Sequence, residues 1–259
     1  MNRIEATFEK LRKEGKKAHI SFLTAGDPSI DQTFELVKAL IEGGSDIVEI
    51  GVPYSDPLAD GPVIQAASTR ALANGVTVEQ VFDLAARCRN ATDIPLLFLM
   101  YANTLMVYGV EKFIARCAKV GIDGLIIPDI PYEEREAVLP YMKKYGVEMI
   151  PLVAPTSKDR VPFITSDCNG FVYCVSSLGV TGRTSEFAND IEDYINDVKS
   201  QTRLPVAIGF GITNYEDVKR LELIADGVIV GSAIVKEIER SGGNAVTLKA
   251  FVSKLFLGA

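Results

Sequence analysis

The sequence from Ile47 to Gln65 reads IVEIGVPYSDPLADGPVIQ and joins an apolar run to a loop rich in proline and aspartate. The run from Ile47 to Val52 is typical of a strand buried on both faces, as in a parallel sheet, and Glu49 is its one ionisable residue. Burial raises the pKa of a carboxylate toward the range useful for proton transfer. We therefore predict Glu49 as a catalytic acid or base; the alternative is a structural carboxylate held by a local hydrogen bond or ion pair.

The order of elements in this stretch recurs along the chain: a short aliphatic or β-branched run, a loop with Gly, Pro or Asp, and a segment with helical periodicity. The predicted strands are His19 to Thr24, Ile47 to Val52, Pro95 to Tyr101, Gly124 to Pro128, Met149 to Ala154, Phe171 to Ser176, Pro205 to Phe210 and Gly227 to Val230. The predicted helices include Ile30 to Glu42, Val78 to Arg89, Val110 to Val120, Glu133 to Tyr145, Ala188 to Ser200 and Asn214 to Glu222, with extra helices at Glu5 to Glu14, Pro62 to Ala73 and Thr247 to Phe256.

Eight strand-then-helix units in about 250 residues are typical of a closed (β/α)8 barrel. A doubly wound sheet usually has fewer strands and a glycine-rich first turn, and the turn Ala25-Gly-Asp-Pro28 lacks the dinucleotide-binding fingerprint. We predict an α/β fold with one domain over residues 1–259, a single (β/α)8 TIM barrel with extra helices.

Composition limits the classes of partner and the compartment. A net charge of -7 argues against a general nucleic-acid or acidic-membrane binder, although one small anionic ligand remains open. The four cysteines show no C-x-x-C spacing and are predicted to be reduced, packed thiols. The N-terminus lacks an apolar signal core, and no later run reaches about 18 apolar residues, so we expect a cytoplasmic protein.

In a barrel, function collects at the carboxyl ends of the strands. Glu49 and Asp60 can both face that mouth, whereas the only histidine, His19, opens the first strand and belongs to the opposite face. No predicted strand contains a lysine, which disfavours Schiff-base chemistry, although Lys158 follows strand five. His, Cys and carboxylates do not cluster with metal-ligand spacing, so no metal is predicted. Carboxylate and tyrosine proton transfer remains.

Glycine-rich turns follow the last three predicted strands, at Gly179 to Glu186, Gly209 to Thr213 and Gly231 to Lys236. Glycine lets the backbone approach a phosphate, and Ser232 begins a helix whose N-terminus favours an anion. The alternative is that each glycine only turns the chain at the rim. Because three such loops are adjacent, we predict a phosphate site across the mouth from Glu49, with Gly179 to Glu186 as a mobile lid.

Several motifs carry a resemblance to a known family. They are E-I-G-V-P-Y-S-D-P-L-A-D-G-P-V-I-Q at 49–65, S-F-L-T-A-G-D-P at 21–28, M-Y-A-N at 100–103, P-D-I-P at 128–131, G-V-T-G at 179–182 and G-F-G-I at 209–212. With them the whole chain resembles the tryptophan synthase alpha chain family. The resemblance implies a lyase of tryptophan biosynthesis that cleaves indole-3-glycerol phosphate to indole and glyceraldehyde 3-phosphate by a retro-aldol reaction, without a cofactor.

The resemblance also implies roles for individual residues. Glu49 would be the general acid and base, Asp60 would pair with the indole N–H, and Tyr173 would polarise the glycerol end. The remaining assignments are an apolar indole slot of Phe22, Leu99 and Ile126; phosphate contacts from Gly182, Gly211, Gly231 and Ser232; and lid residues Thr181, which would contact Asp60, and Arg183. Without the resemblance, Tyr173 and the three apolar residues are equally typical of barrel core. Some members carry an arginine near position 177, where this chain has Ser177.

The family's alpha chain works with a pyridoxal-phosphate beta chain, so the resemblance implies an alpha2-beta2 heterotetramer. The positions that match the contact surface are Pro53, Asp56, Pro57 and Asp129; the alternative is that these prolines only stiffen strand exits. Two other functions remain open at this point. A sugar-phosphate isomerase or indole-glycerol-phosphate synthase should have a strand-end lysine, and a noncatalytic phosphate-binding regulatory barrel would not need both carboxylates.

Overall fold

The computed structural model describes residues 2–175, 186–209 and 211–258, and the strands within these ranges form one parallel sheet. Their bounds are β1 Ala18–Thr24, β2 Ile47–Gly51, β3 Leu96–Leu99, β4 Gly124–Ile126, β5 Glu148–Met149, β6 Leu152–Val153, β7 Val172–Val175, β8 Val206–Gly209 and β9 Gly227–Val230. Their order across the sheet is β5-β4-β3-β2-β1-β9-β8-β7-β6. The first strand thus pairs with both the second and the last, as in a barrel.

The two ends of this order meet because β5 and β6 are halves of one predicted strand, Met149 to Ala154. Between them, the Ile150 amide donates to the Leu125 carbonyl at 2.9 Å, and the Pro151 carbonyl accepts from the Tyr173 amide at 2.9 Å. The segment therefore bonds to β4 on one side and to β7 on the other. Pro151 has no N–H to donate, which interrupts the strand at this point. With β5 and β6 counted together, the fold is the predicted (β/α)8 barrel.

Helices follow the strands and cover the outside of the sheet. Their bounds are α1 Arg3–Lys13, α2 Ile30–Glu42, α3 Pro62–Ala73, α4 Val78–Ala91, α5 Ala102–Tyr108, α6 Val110–Val120, α7 Leu139–Tyr145, α8 Val161–Thr165, α9 Glu186–Gln201, α10 Tyr215–Glu222, α11 Ser232–Arg240 and α12 Ala245–Leu257, with 3-10 helices at Tyr132–Ala137 and Pro155–Arg160. The extra helices α1, α3 and α12 confirm the prediction to within two residues at each end.

The predicted helix from Glu133 to Tyr145 is wrong in its first half. The segment begins as a 3-10 helix, and the α-helix starts only at Leu139. Pro140 explains the break, because proline cannot donate to the carbonyl four residues earlier and its ring clashes there. Helices α5 and α8, which follow β3 and β6, are not among the helices named from the sequence, whereas α6 confirms the predicted helix from Val110 to Val120.

The core has two parts on opposite faces of the sheet. Alternate strand residues point inward, and the interior cluster contains Ile20, Ile47, Leu97, Ile126, Ile150, Phe171, Ala207 and Ile229 together with Ile4, Phe8 and Leu11 of α1. The rings of Phe8 and Phe171 lie 5.5 Å apart, so α1 closes the barrel at the amino ends of the strands. The other strand residues pack outward against the helices.

His19 lies away from the mouth, as predicted. Its Nε2 is 2.8 Å from the Glu222 carboxylate, and its ring stacks on Phe256 at 4.4 Å. The cysteines Cys88, Cys117, Cys168 and Cys174 are all buried and free of disulfides. In the described part of the chain, no helix has the length and apolar character needed to cross a membrane.

Candidate active site

Glu49 occupies the middle of β2, in register with Phe22 of β1 and Leu97 of β3. Its position between the inward residue Ile47 and Gly51 directs its side chain into the barrel. The residue is fully buried, and neither carboxylate oxygen has a hydrogen-bond partner among the described residues. Burial raises the pKa of Glu49 to about 8. Within the described residues no hydrogen bond or ion pair satisfies this carboxyl, and a pKa of about 8 favours its protonated form at pH 7.

Asp60 lies in the loop between β2 and α3, directly before the helix begins. The Asp60 amide donates to the Pro57 carbonyl at 3.0 Å, and the Asp60 carbonyl accepts from Gln65 Nε2 at 2.8 Å, which fixes the backbone on both sides. Burial raises the pKa of Asp60 to about 6, although the hydroxyl of Tyr101 acts in the opposite direction. A carboxylate with this pKa is mainly ionised at pH 7, so the site pairs a protonated Glu49 with an anionic Asp60.

Tyr101 supports Asp60 and is a residue that the sequence interpretation missed. Its hydroxyl accepts from the Ala59 amide at 3.0 Å, and its ring stacks on Tyr54 at 5.1 Å. Burial and the negative charge of Asp60 raise the pKa of the Tyr101 phenol, which therefore stays protonated. The available sequence signal was its place in the M-Y-A-N motif at the end of strand three.

Tyr173, in β7, brings the opposite wall of the barrel to the same point. The pKa of its phenol is raised well above the ordinary value, first by burial and then by the charges of Glu49 and Asp60. A Cβ atom at Gly209 would lie 2.9 Å from the Tyr173 hydroxyl, so glycine at 209 leaves room for the phenol. The structure thus brings Glu49, Asp60 and Tyr173 together inside one mouth.

An apolar wall stands beside these polar groups. Phe22 packs with Ala67 of α3 and Val235 of α11, and the partly buried residues Leu99, Val63 and Ile64 join this cluster. A Cβ at Gly51 would lie only 2.6 Å from the Phe22 ring. Glycine at 51 therefore leaves room for the ring of Phe22, whose backbone is in register with Glu49.

The three predicted indole-pocket residues do not lie at the same depth. Ile126 is fully buried in the interior cluster, whereas Leu99 contacts both that cluster and the Phe22 cluster. Ile126 therefore belongs to the floor, and Phe22 and Leu99 form the wall. Val63 and Ile64 were missed, because only the fold shows that the first turn of α3 packs against Phe22.

The predicted phosphate residues that the structure describes follow β8 and β9. Gly231 and Ser232 begin α11, where no side chain of the described residues caps the helix, so its first amide groups can bind an anion. Gly231 borders the apolar wall, since a Cβ there would lie 3.5 Å from Phe22. Gly211 is exposed and has a φ of +35°. Thr181, Gly182, Arg183 and Ser177 lie outside the described residues, as does the side chain of Lys158.

The four predicted interface residues lie in loops that follow β2 and β4. Asp56 is exposed and accepts a hydrogen bond from Ser55 at 2.5 Å, and Pro53 is half-buried. Asp129 is exposed and accepts from the Ala102 amide, at the start of α5, at 2.9 Å. Pro57, in contrast, is buried within the chain. The described residues hold no group of three or more His, Cys, Asp or Glu side chains suited to a metal ion.

Comparisons with known proteins give one family. A family model described as tryptophan synthase alpha chain matches residues 8–255. The tryptophan synthase alpha chain of Caldanaerobacter subterraneus subsp. tengcongensis is 52% identical over 249 residues, which are 96% of this chain and 95% of the relative. That of Thermoanaerobacter sp. strain X514 is 52% identical and covers 98% of each chain. The crystal structure of tryptophan synthase subunit alpha from Legionella pneumophila strain Paris has a TM-score of 0.91 at 34% identity, covering 98% of this chain and 97% of the other.

Proposed function

The chain belongs to the tryptophan synthase alpha chain family and is a lyase that cleaves indole-3-glycerol phosphate to indole and glyceraldehyde 3-phosphate; we propose that Glu49 moves both protons of this reaction. Family membership decides against the two alternatives, a barrel of another phosphate-dependent class and a noncatalytic regulator. The observation that carries the proposal is the buried carboxyl of Glu49, which has no hydrogen-bond partner in the described structure and a pKa of about 8. A group in that state can donate a proton at pH 7 and take one back.

The retro-aldol reaction needs two proton transfers. Protonation of indole C3 by the Glu49 carboxyl makes the ring an electron acceptor. The Glu49 carboxylate then removes the proton of the adjacent glycerol hydroxyl, the bond between C3 and the side chain breaks, and its electron pair returns to the ring. Indole and the aldehyde leave, and Glu49 is again protonated. Burial serves both steps, because it keeps the acid protonated before reaction and makes its anion a stronger base.

Asp60 stabilises the positive charge that these proton transfers create on the indole ring. Protonation at C3 puts positive charge on the indole nitrogen, and an ionised carboxylate that accepts the N–H hydrogen bond stabilises it. The loop hydrogen bonds of Asp60 and the hydroxyl of Tyr101 hold the carboxylate in place before substrate arrives. Tyr173 keeps its proton and can donate to the glycerol oxygens, since its pKa is raised well above the ordinary value.

Substitution of Asp60 by Asn should lower kcat about 10²- to 10³-fold, the usual effect of removing one transition-state electrostatic partner. It should also change the pH profile of indole release. In the wild type, kcat/KM rises as Asp60 loses its proton near its pKa of about 6 and falls as Glu49 loses its proton near about 8. In Asp60→Asn, kcat/KM should no longer rise on the acid side of the profile, and its fall on the alkaline side should remain. The assay is indole release by the purified chain from pH 5 to 9.

Asp46→Asn is the matched control for this experiment. Burial also raises the pKa of Asp46, but its carboxylate accepts from the His19 amide at the opposite end of the barrel. In the control, kcat/KM should still rise on the acid side and fall on the alkaline side of its pH dependence. Retention of the acid limb in Asp60→Asn would show that another group titrates there.

We place the rest of the substrate between the apolar wall and the start of α11. The indole ring would lie against Phe22 and Leu99 with Ile126 beneath, and the phosphate would accept hydrogen bonds from backbone amides at Gly211, Gly231 and Ser232. The closeness of Gly231 to Phe22 supports this arrangement, because it places the anion site beside the ring slot. Gly182, Thr181 and Arg183 are proposed to complete the phosphate site and the lid.

The partner is proposed to be a tryptophan synthase beta chain in an alpha2-beta2 assembly, bound at the mouth. The predicted contact residues Pro53, Asp56, Pro57 and Asp129 lie in the loops there. Exposed apolar side chains in neighbouring segments support this surface: Leu58, in the loop after β2, is 94% exposed, and Val107, in α5, is 80% exposed. Their place beside the predicted contact residues, and not their exposure alone, favours burial by a partner, since isolated exposed apolar side chains are common.

Val107→Asp should weaken binding of a beta chain, because it would place a charge in a desolvated interface. Val246→Asp is a closely matched control, since Val246 is also 80% exposed but lies in α12. Affinity is measured by isothermal titration with a purified beta chain, and indole release by each variant alone checks its integrity. Equal affinity for both variants would place the interface elsewhere.

We also propose that residues 1–259 act as one catalytic domain and that the chain is cytoplasmic. The mouth draws residues from β1, β2, β3, β7 and β9 and from α3 and α11, so the site needs elements from most of the chain. The four buried cysteines without disulfides suit a reducing compartment.

A further inference from the structure

A buried arginine without a carboxylate partner lies outside the catalytic mouth. Arg135, in the 3-10 helix after β4, is only 6% exposed. Its Nη1 donates to the Ile164 carbonyl at 2.6 Å and to Cys168 Sγ at 3.5 Å. Its Nε is buried and donates to no atom of the described residues, and nothing in that part of the chain forms an ion pair with it. The proposed reaction does not use this guanidinium.

Arg135 borders a cavity of about 160 Å³. The cavity lies between three parts of the chain: the segment that follows β4, the strand β6 and the helix α8. The described lining includes the apolar residues Ile127, Leu152 and Ile164, and its polar members are Arg135, Arg160 and Tyr132. The described residues of the lining include no Asp or Glu; Glu133, which pairs with Arg160 and also interacts with the charge of Arg135, lies outside it. Since one water takes about 30 Å³ of liquid volume, the cavity has room for several.

The charge of this lining is the reason to expect a ligand. A guanidinium keeps its positive charge inside proteins, so a buried one needs compensation from its surroundings. The groups in direct contact with the guanidinium, one neutral carbonyl and one thiol, compensate a buried positive charge poorly, and the exposed carboxylate of Glu133 interacts with it without forming an ion pair. Nε and Nη2 form one edge of the guanidinium fork, and neither donates to a described residue. That edge matches two oxygens of a phosphate or carboxylate.

We propose that this cavity is an anion site, in which the free edge of Arg135 holds a small oxyanion of the size of phosphate. Tyr132 and Arg160 supply further donors from the rim. The site is separate from the substrate phosphate site, because its lining comes from the segments after β4 and β6, whereas Gly231 and Ser232 follow β9. The inference is independent of the proposed catalytic roles.

The test is a titration of the wild-type chain, labelled with 15N, with sodium phosphate against sodium chloride of equal ionic strength. The Nε–H resonance of Arg135, assigned by its loss in Arg135→Lys, should shift in a saturable way with phosphate and not with chloride. The backbone amide of Ser232 reports the substrate phosphate site in the same spectra. In Ser232→Asp, a negative charge weakens phosphate binding at α11, and the Arg135 response should persist.

A thermal-shift comparison gives a second measurement. Phosphate should raise the melting temperature of Ser232→Asp, and Arg135→Met in that background should lose the rise. Arg203→Met is the control, because Arg203 is an exposed arginine in the loop before β8. If phosphate saturates the Ser232 amide without shifting the Arg135 resonance, water satisfies the guanidinium and the proposal is wrong. The titration of the wild type decides the matter even if Arg135→Met does not fold.

Discussion

Glu49→Gln is expected to lower kcat for indole release by about 10²- to 10⁴-fold, the range for loss of a general acid or base. Glutamine has nearly the same shape but can neither protonate indole C3 nor accept the hydroxyl proton. Because neither oxygen of Glu49 has a hydrogen-bond partner in the described structure, the substitution breaks no internal hydrogen bond there. Substrate binding should therefore survive. The measurement is indole release from indole-3-glycerol phosphate, with and without a beta chain, beside the affinity for a nonreactive analogue.

Glu237→Gln is the control for a buried glutamate without a role in the reaction. Glu237 is 7% exposed and accepts two hydrogen bonds from Arg240, at 2.7 and 2.8 Å. Its variant should keep kcat within a few-fold even if the chain becomes less stable. Unchanged turnover in Glu49→Gln would remove Glu49 from the mechanism. Loss of turnover together with loss of analogue binding would instead indicate a role in binding.

The sequence predicted the parts of the site that depend on local pattern. Glu49 stands out because it interrupts an apolar strand, and Asp60 because it follows in a loop at the same strand end. Tyr101 and Ile64 could not be found in this way. Each contributes through a contact with a residue distant in the sequence, Tyr101 with Ala59 and Ile64 with the Phe22 cluster.

The errors in the predicted elements also have physical causes. Periodicity and composition do not show how a proline divides an element, and two of the errors occur at prolines: Pro151 divides the fifth strand, and Pro140 delays the start of α7. The depth of Ile126 could not be predicted either. Inward residues of a barrel strand have the same pattern whether they line the mouth or fill the floor.

The stability of Glu49→Gln relative to the wild type is expected to increase with pH. In the unfolded chain Glu49 has its ordinary pKa of 4.5, and in the folded chain burial raises the pKa to about 8. Between these values the unfolded state releases the proton while the folded state keeps it. The unfolded state thus binds fewer protons, and the free energy of unfolding falls as pH rises. Glutamine does not titrate, so the variant lacks this contribution.

The size of the effect follows from the pKa difference. A shift from 4.5 to about 8 corresponds to roughly 5 kcal/mol once both states are ionised, and to about 3 kcal/mol at pH 7. Urea denaturation at pH 5.5, 7 and 8.5 gives the free energy of unfolding of both proteins. The effect is the change with pH in the difference between these two free energies. Other titrating groups, including Asp60, occur in both proteins and cancel. A buried amide without partners would add a penalty that is independent of pH, so the slope is the decisive quantity.

A difference that stays constant from pH 5.5 to 8.5 would mean that Glu49 ionises in the folded chain as it does in water, and the proposed proton donor at pH 7 would be lost with it. The expected pH dependence would connect the loss of stability caused by the buried Glu49 to its role as a proton donor. The desolvation that keeps Glu49 protonated, and so able to protonate indole C3, is the same desolvation that reduces stability as pH rises. Glu49→Gln should therefore be less active and, above about pH 7, more stable than the wild type, a combination that a purely structural carboxylate would not produce.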